Sequence, residues 1–193
     1  MNKLEKVIYG AIRLRPRLKK TVVDTYQFLF SMLPSAKSSS LFPLTVREGY
    51  FYGFHDKCPW SPDGTMLLAH KCRDPLRMPR MDESIEVGYF AEDGNKKFVS
   101  LGETYCWNWQ MGSMLQWIGN TSRIIFNDYD GNGHIARILD SEGNELQRLS
   151  VPVAAVRPDG KWALSHSFAR LRSLAPAYGY ANGMDQEENN PIP

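Results

Sequence analysis

The sequence predicts an all-β body preceded by two amphipathic α-helices, and three observations carry that reading. From Leu44 onward the 193-residue chain shows no long helical period, only short β-rich runs such as SIEVGYF, SRIIFND and HIARILD between Asp-Gly, Gly-Asn and Glu-Gly turns. The hairpin CPWSPDGTMLLAH at 58–70 recurs as AAVRPDGKWALSH at 154–166. Between them MLQWIGNTSRIIFN, at 114–127, has Trp117 where Trp60 stands and Asn127 where His70 stands. With Trp60, Trp117 and Val156 as anchors, the closing residues His70, Asn127 and His166 each follow ten positions later. The anchors lie 57 and 39 residues apart, and units near forty residues with about four strands each are the pattern of β-propeller blades, which stack because one blade cannot bury both of its faces. The expected architecture is a partial, open β-propeller of about three four-stranded blades.

The elements follow in chain order. Leu4, Val7, Ile8, Ala11 and Ile12 recur at helical spacing, and beyond Pro16 so do Leu18, Val22, Tyr26, Leu29, Phe30 and Leu33, with lysines opposite. This spacing predicts helices over 2–14 and 17–33, ended by Pro34, with SAKSSS as a linker. Residues 1–40 form a basic helical segment and residues 41–193 the blades. The loop RDPLRMPRMDE lengthens the first unit. Because a propeller closes with about four to eight blades, three units imply either the front part of a longer protein or an open assembly that needs a partner. Apolar side chains near Val153, Trp162 and Leu164 should then be exposed at the open side.

The net charge of +2 conceals an asymmetry: residues 1–40 hold eight Lys/Arg against Glu5 and Asp24, so the body leans acidic. The body has no basic patch or reading motif for nucleic acid, which is excluded as a partner. The basic helices suit packing on the body or attachment to an anionic membrane surface through residues 1–33. Cys58, Cys72 and Cys106 are an odd number without metal-type pairing, which reads as free thiols in a reducing compartment. Charges interrupt every apolar run near the N-terminus, so the expected location is cytoplasmic, peripheral to the inner membrane if the helices bind lipid.

WSPDGTMLLAH resembles the inner hairpin of the TolB-like six-bladed propellers. GYFYGFHDKCPWSPDG, WNWQMGSMLQWIG and FARLRSLAPAYGYA together resemble bacterial propeller proteins of surface-polysaccharide gene clusters, over roughly residues 47–183. The resemblance implies a propeller that binds a carbohydrate or glycan precursor. It is specific for fold and nearly silent on activity, since the superfamily includes scaffolds, peptidase accessory domains and oligogalacturonate lyases.

Strand direction places polar residues at one rim: His55, Asp56, Lys57, His70 and Lys71 from the first unit, Asn108, Gln110, Asn127 and Asp128 from the second, and His166 and Arg170 from the third. As a ligand site this rim comprises His55, Asp56, Lys57, Asn108, Gln110, Asn127, Asp128 and Arg170. His70 and His166 are candidate ligands of a divalent metal, or else structural hydrogen-bonding groups. Resemblance to the lyases would add His55 and Gln110 to a metal set, with Lys57 or a histidine as base. YCWNWQ alternates as a strand, with Tyr105, Trp107 and Trp109 on one face for packing and Asn108 and Gln110 on the other. DYDGNGHI imitates the start of a calcium loop but has Leu139 at the twelfth position where the bidentate acid belongs, so it reads as a hairpin turn.

Overall fold

The computed structural model describes residues 16–33, 45–53, 56–72, 77–92 and 97–183. The chain divides into two compact units, Met1–Val46 and Arg47–Pro193. In the first, helix α1 spans Pro16–Ser31. Proline suits the first helical position because its missing N–H would have no intrahelical partner there. At the other end Ser31 Oγ donates to the Phe28 carbonyl at 2.7 Å. The expected 17–33 helix is therefore present, while the 2–14 helix and the SAKSSS linker lie outside the described residues. Tyr26 stacks on Phe30 one turn away at 4.3 Å, and all the described side chains of α1 are exposed. No described helix is long and apolar enough to cross a membrane.

In the second unit all the strand pairing among the described residues is antiparallel. Strands β1 (Tyr50–Phe51), β2 (Met66–Lys71), β3 (Ile85–Ala91) and β4 (Phe98–Thr104) pair in sequence order. Strands β5 (Gln116–Trp117), β6 (Ile124–Tyr129), β7 (His134–Leu139) and β8 (Glu145–Leu149) form a second four-stranded meander. A two-stranded ribbon, β9 (Ala155–Val156) with β10 (Ala163–Leu164), comes next, and the sheets do not close into a ring.

The three hairpins share one register. Trp60 faces Leu67, Trp117 faces Ile124 and Val156 faces Ala163. Their turns close with equivalent bonds, from Ser61 N to Met66 O at 2.8 Å, Ile118 N to Arg123 O at 2.9 Å and Arg157 N to Trp162 O at 2.8 Å. In the first turn Asp63 Oδ1 accepts from Thr65 N at 3.1 Å, and in the third Asp159 Oδ1 accepts from Lys161 N at 3.0 Å, the local bonding that makes Pro-Asp-Gly a turn former. The repeat inferred from sequence is thus a repeat of backbone geometry.

Strand alternation then builds the core. Leu68, Val87 and Leu101 of the first sheet meet Leu115, Trp117, Ile124, Phe126 and Leu139 of the second unit in one cluster. On the other side of the second sheet Ile125 and Ala136 bury Val153, which lies just ahead of the ribbon. Burying one large aliphatic side chain contributes about 1.5–3 kcal/mol, so each of these two seams contributes several kcal/mol to the stability of the body.

After β10 the repeat departs from the expected four-stranded pattern. Ser167 caps helix α2 (Phe168–Leu174), its side chain accepting from Arg170 N at 3.1 Å, and Ala175 ends it before Pro176. Seven residues are too few to show a helical period, which is why the sequence pattern does not reveal α2. Phe168 enters a third cluster with Cys106, Met114, Ala154 and Tyr180. Trp162 and Leu164 are exposed, as expected, but Val153, also expected to be exposed, is buried because the second sheet covers it.

Two other local expectations change. YCWNWQ is a loop beyond β4, not a strand, so its faces do not alternate: Tyr105 is exposed and Cys106, Trp107 and Asn108 are all buried. The two tryptophans hold the 77–83 loop instead, Trp107 Nε1 donating to Glu83 O at 2.9 Å and Trp109 Nε1 to Arg77 O at 2.6 Å. DYDGNGHI is the β6–β7 turn, with Asp130 Oδ1 accepting from Asn132 N and Gly133 N, each at 2.9 Å. No disulfide joins the three cysteines; Cys58 is exposed and Cys106 buried.

Candidate functional site

The closing residues of the hairpins have an internal task. His70 is fully buried against Phe51, with ring centroids 4.9 Å apart. Its Nε2 accepts from the backbone N–H of Ser113 at 3.1 Å and lies 2.8 Å from Ser113 Oγ. Since an amide N–H only donates, the ring is neutral at Nε2 and its proton sits on Nδ1. Burial lowers the His70 pKa to about 4, partly offset by the backbone at Phe51 and Tyr52. Asn127, the equivalent residue of the second unit, is also fully buried. Its Oδ1 accepts from Val153 N at 2.7 Å, and its Nδ2 donates to Val153 O at 3.0 Å and to the Tyr180 hydroxyl at 2.8 Å. His70 and Asn127 therefore each tie their unit to the backbone that leads into the next.

The rim expected from strand direction is largely filled by the chain itself. Asn108 Nδ2 donates to Tyr178 O at 3.0 Å, and its Oδ1 accepts from Gln110 N at 3.0 Å and Met111 N at 2.8 Å. Asp128 Oδ1 accepts from Tyr105 N and Tyr129 N, and Oδ2 pairs with Arg137 at 3.1 Å. Asn182 Nδ2 donates to Tyr105 O at 2.8 Å, and His134 Nε2 lies 2.9 Å from Asn182 O. Residues 178–182 thus sit over Asn108 and Asn127, and burial holds the Tyr180 phenol well above its ordinary pKa, so it stays protonated.

Gln110 is exposed in the 105–112 loop, and Arg170 is half-buried on α2. His55 lies outside the described residues. His166 is exposed and stacks on Phe168 at 4.1 Å, an environment unlike that of buried His70. Among the described residues no group of three or more His, Cys, Asp or Glu side chains is placed to hold a metal ion. Because the Nε2 lone pair of His70 already accepts a hydrogen bond, that histidine is a structural group in this geometry, and the metal-dependent lyase reading draws no support from it.

Asp56 and Lys57 are the two expected site residues that reach an open cleft. This cleft, of about 450 Å³, lies where the three hairpins converge. It is lined by repeat-equivalent residues, Trp60, Trp117 and Val156 at the anchors and Pro62, Gly119 and Pro158 in the turns. Lys57 Nζ pairs with Asp56 Oδ2 at 2.6 Å across its wall. Gln116 also lines it, but its Oε1 accepts from Val156 N at 3.0 Å and its Nε2 donates to Met114 O at 2.9 Å, so it braces the wall. Trp117 is braced likewise, Nε1 donating to Pro59 O at 3.0 Å. Trp60 is half-exposed, and Asn120 stands at the mouth in the second turn. Comparison with protein-family models, with curated proteins and with solved structures finds no match.

The sequence pattern marks Trp60 as a repeat anchor and Asn120 as a turn residue and assigns neither to a site. A signal for Trp60 is nevertheless present, because Trp117 and Val156 hold the same repeat position and line the same cleft; Asn120 has none, since its equivalents Asp63 and Asp159 do not line it. A second cleft of about 320 Å³ beside β3 and β4 is lined by Lys71, Arg77, Glu83, Glu86 and Glu103. Its charges are largely matched, Lys71 with Glu86 at 2.7 Å and Arg77 with Glu83, which makes it a solvated ionic wall.

Proposed function

We propose that the meanders and the ribbon are successive blades of an open β-propeller, and that the cleft at their convergence binds a carbohydrate or glycan precursor. The surface-polysaccharide setting is the one the family resemblance implies. The observation that carries the reading is the cleft itself, where three equivalent hairpins bring together an indole with free surface, a paired Lys and Asp, and an amide. Sugar recognition needs this combination. The apolar face of a pyranose ring stacks on an aromatic surface, while charged and amide groups bind its hydroxyls. The Lys57–Asp56 pair presents both donors and an acceptor at one edge, and Asn120 offers both from the second unit.

The test is a glycan-array screen followed by calorimetry on the best neutral and acidic oligosaccharides. Trp60→Ala is expected to weaken binding about tenfold, the equivalent of about 1.4 kcal/mol. Asn120→Ala is expected to change selectivity among hydroxyl patterns. An array without a binder, or binding indifferent to both substitutions, overturns the assignment.

A further inference from the structure

We propose that helix α1 docks on an anionic lipid surface, its later turns sunk among the acyl chains and its opening turns held at the headgroups. The two halves of the helix differ in a way that its own folding does not require. Arg17, Lys19 and Lys20 lie in the opening turns, and Arg13 and Arg15 precede them in the sequence, five cations in eight residues without an acid. Cations at a helix N-terminus oppose the macrodipole, and no acidic residue stands in the first turn to offset them. Asp24, the one acid of α1, comes a turn later. The cluster therefore lowers the helix's own stability, and it is complementary to an anionic surface outside it.

The second half is apolar on nearly every side. From Tyr26 to Leu33 only Gln27 and Ser31 are polar, and Tyr26, Phe28, Leu29, Phe30, Met32 and Leu33 are each more than half exposed. At 3.6 residues per turn Tyr26 and Phe28 project about 160° apart around the axis, so a groove or flat protein face that covered one would leave the other in water. A fluid apolar layer covers both. Ser31 suits such a layer, because its hydroxyl already donates to the Phe28 carbonyl at 2.7 Å and enters without an unpaired donor.

The helix has 16 residues, about 24 Å of length, whereas crossing a bilayer takes about 20 apolar residues. No described helix is long and apolar enough to cross. A basic amphipathic helix of this kind lies in the interface, held by its buried apolar area and by attraction between Lys or Arg and anionic headgroups. The attachment requires neither the cleft nor a carbohydrate, and it is tested without one.

The full chain is sedimented with vesicles of phosphatidylglycerol and phosphatidylcholine in equal parts, and with vesicles of phosphatidylcholine alone. At low salt the mixed vesicles are expected to hold it at least about tenfold more strongly. That preference should shrink as the Debye length shortens from about 30 Å at 0.01 M to about 8 Å at physiological ionic strength. Lys19→Glu with Lys20→Glu should abolish the preference, and Leu29→Asn with Phe30→Asn should release the chain at every salt concentration. Both pairs should leave the urea transition of the body where it is. Insertion has its own readout: Phe30→Trp adds an indole to the chain's five, and its emission, taken as the difference from wild type, should shift to the blue and be shielded from acrylamide on the mixed vesicles. Equal retention on both vesicles, retention on neither, a preference indifferent to the lysine pair, or an added indole still open to acrylamide would each overturn the proposal. So would a urea midpoint lowered by Leu29→Asn with Phe30→Asn, which assigns the apolar turns to the body. A wild-type mass above 22.0 kDa that the same pair restores to it would overturn the proposal as well, assigning those turns to a second copy.

Discussion

Acidification should loosen the body through His70. In the unfolded chain this imidazole titrates near 6.5, and in the folded chain burial holds it near 4. Above pH 7 both states are neutral and the difference has no effect. As pH falls through 6.5 the unfolded chain takes up a proton that the folded chain refuses, so stability present above 6.5 is lost progressively until pH nears 4. The pKa difference corresponds to about 3 kcal/mol at roughly 1.4 kcal/mol per unit. That is a large share of the about 5–15 kcal/mol that holds an ordinary domain. His134, whose pKa burial also lowers, acts in the same direction. The assay is urea unfolding at steps between about pH 7.5 and about pH 4.5, in the wild type and in His70→Gln. A glutamine amide oxygen can still accept from the Ser113 N–H but does not titrate, so His70→Gln should flatten most of the acid slope. If the variant and the wild type lose stability in parallel over that window, His70 is not the group responsible and the account of its burial is wrong.

Asn127→Ala should cost about 3–4 kcal/mol, since it removes both bonds to Val153 and leaves a buried N–H without an acceptor. Faster amide exchange at Val153 is the specific readout, and a loss below about 1 kcal/mol would deny the tie between units. Gly112→Ala should destabilise by about 3 kcal/mol. Gly112 has φ +59, and a Cβ there would stand 2.3 Å from His70 Cε1 and 2.9 Å from Tyr52 O. An alanine variant as stable as the wild type in denaturant would show that this turn can move away from His70.

The repeat was legible because register leaves a periodic trace: anchors, turn residues and closing residues recur at fixed offsets, and the three hairpins keep those offsets in their hydrogen bonds. The partners of the closing residues were not legible. His70 and Asn127 bind main-chain N–H groups of Ser113 and Val153, and a backbone donor has no residue type to betray it. The covering of the rim was equally hidden. Tyr178, Gly179, Tyr180 and Asn182 reach Asn108, Asn127 and the Tyr105 carbonyl only because α2 and the turn after it return the chain, and α2 is too short to leave a period. Alternation misled at YCWNWQ, where tryptophan N–H groups bonded to a distant loop outweigh β propensity.

Why one closing residue is histidine and the other asparagine comes from the same geometry. Ser113 precedes its anchor Trp117 by four residues, and Val153 precedes Val156 by three. The backbone N–H that must be met therefore enters the two seams from different points along the chain. Imidazole Nε2 lies farther from its Cα than the amide oxygen of asparagine does, so each side chain matches a different reach. Asparagine can also donate back to the Val153 carbonyl and to Tyr180, which a neutral ring with its proton on Nδ1 cannot do. The shared requirement at His70 and Asn127 is a buried acceptor for the next unit's backbone N–H. Polarity shared between the repeats of one chain therefore reports assembly of the units. At the cleft where the hairpins converge the contrast is one of exposure: Trp117 is buried and bonded to Pro59 O, whereas its equivalent Trp60 keeps free surface beside Lys57 and Asn120.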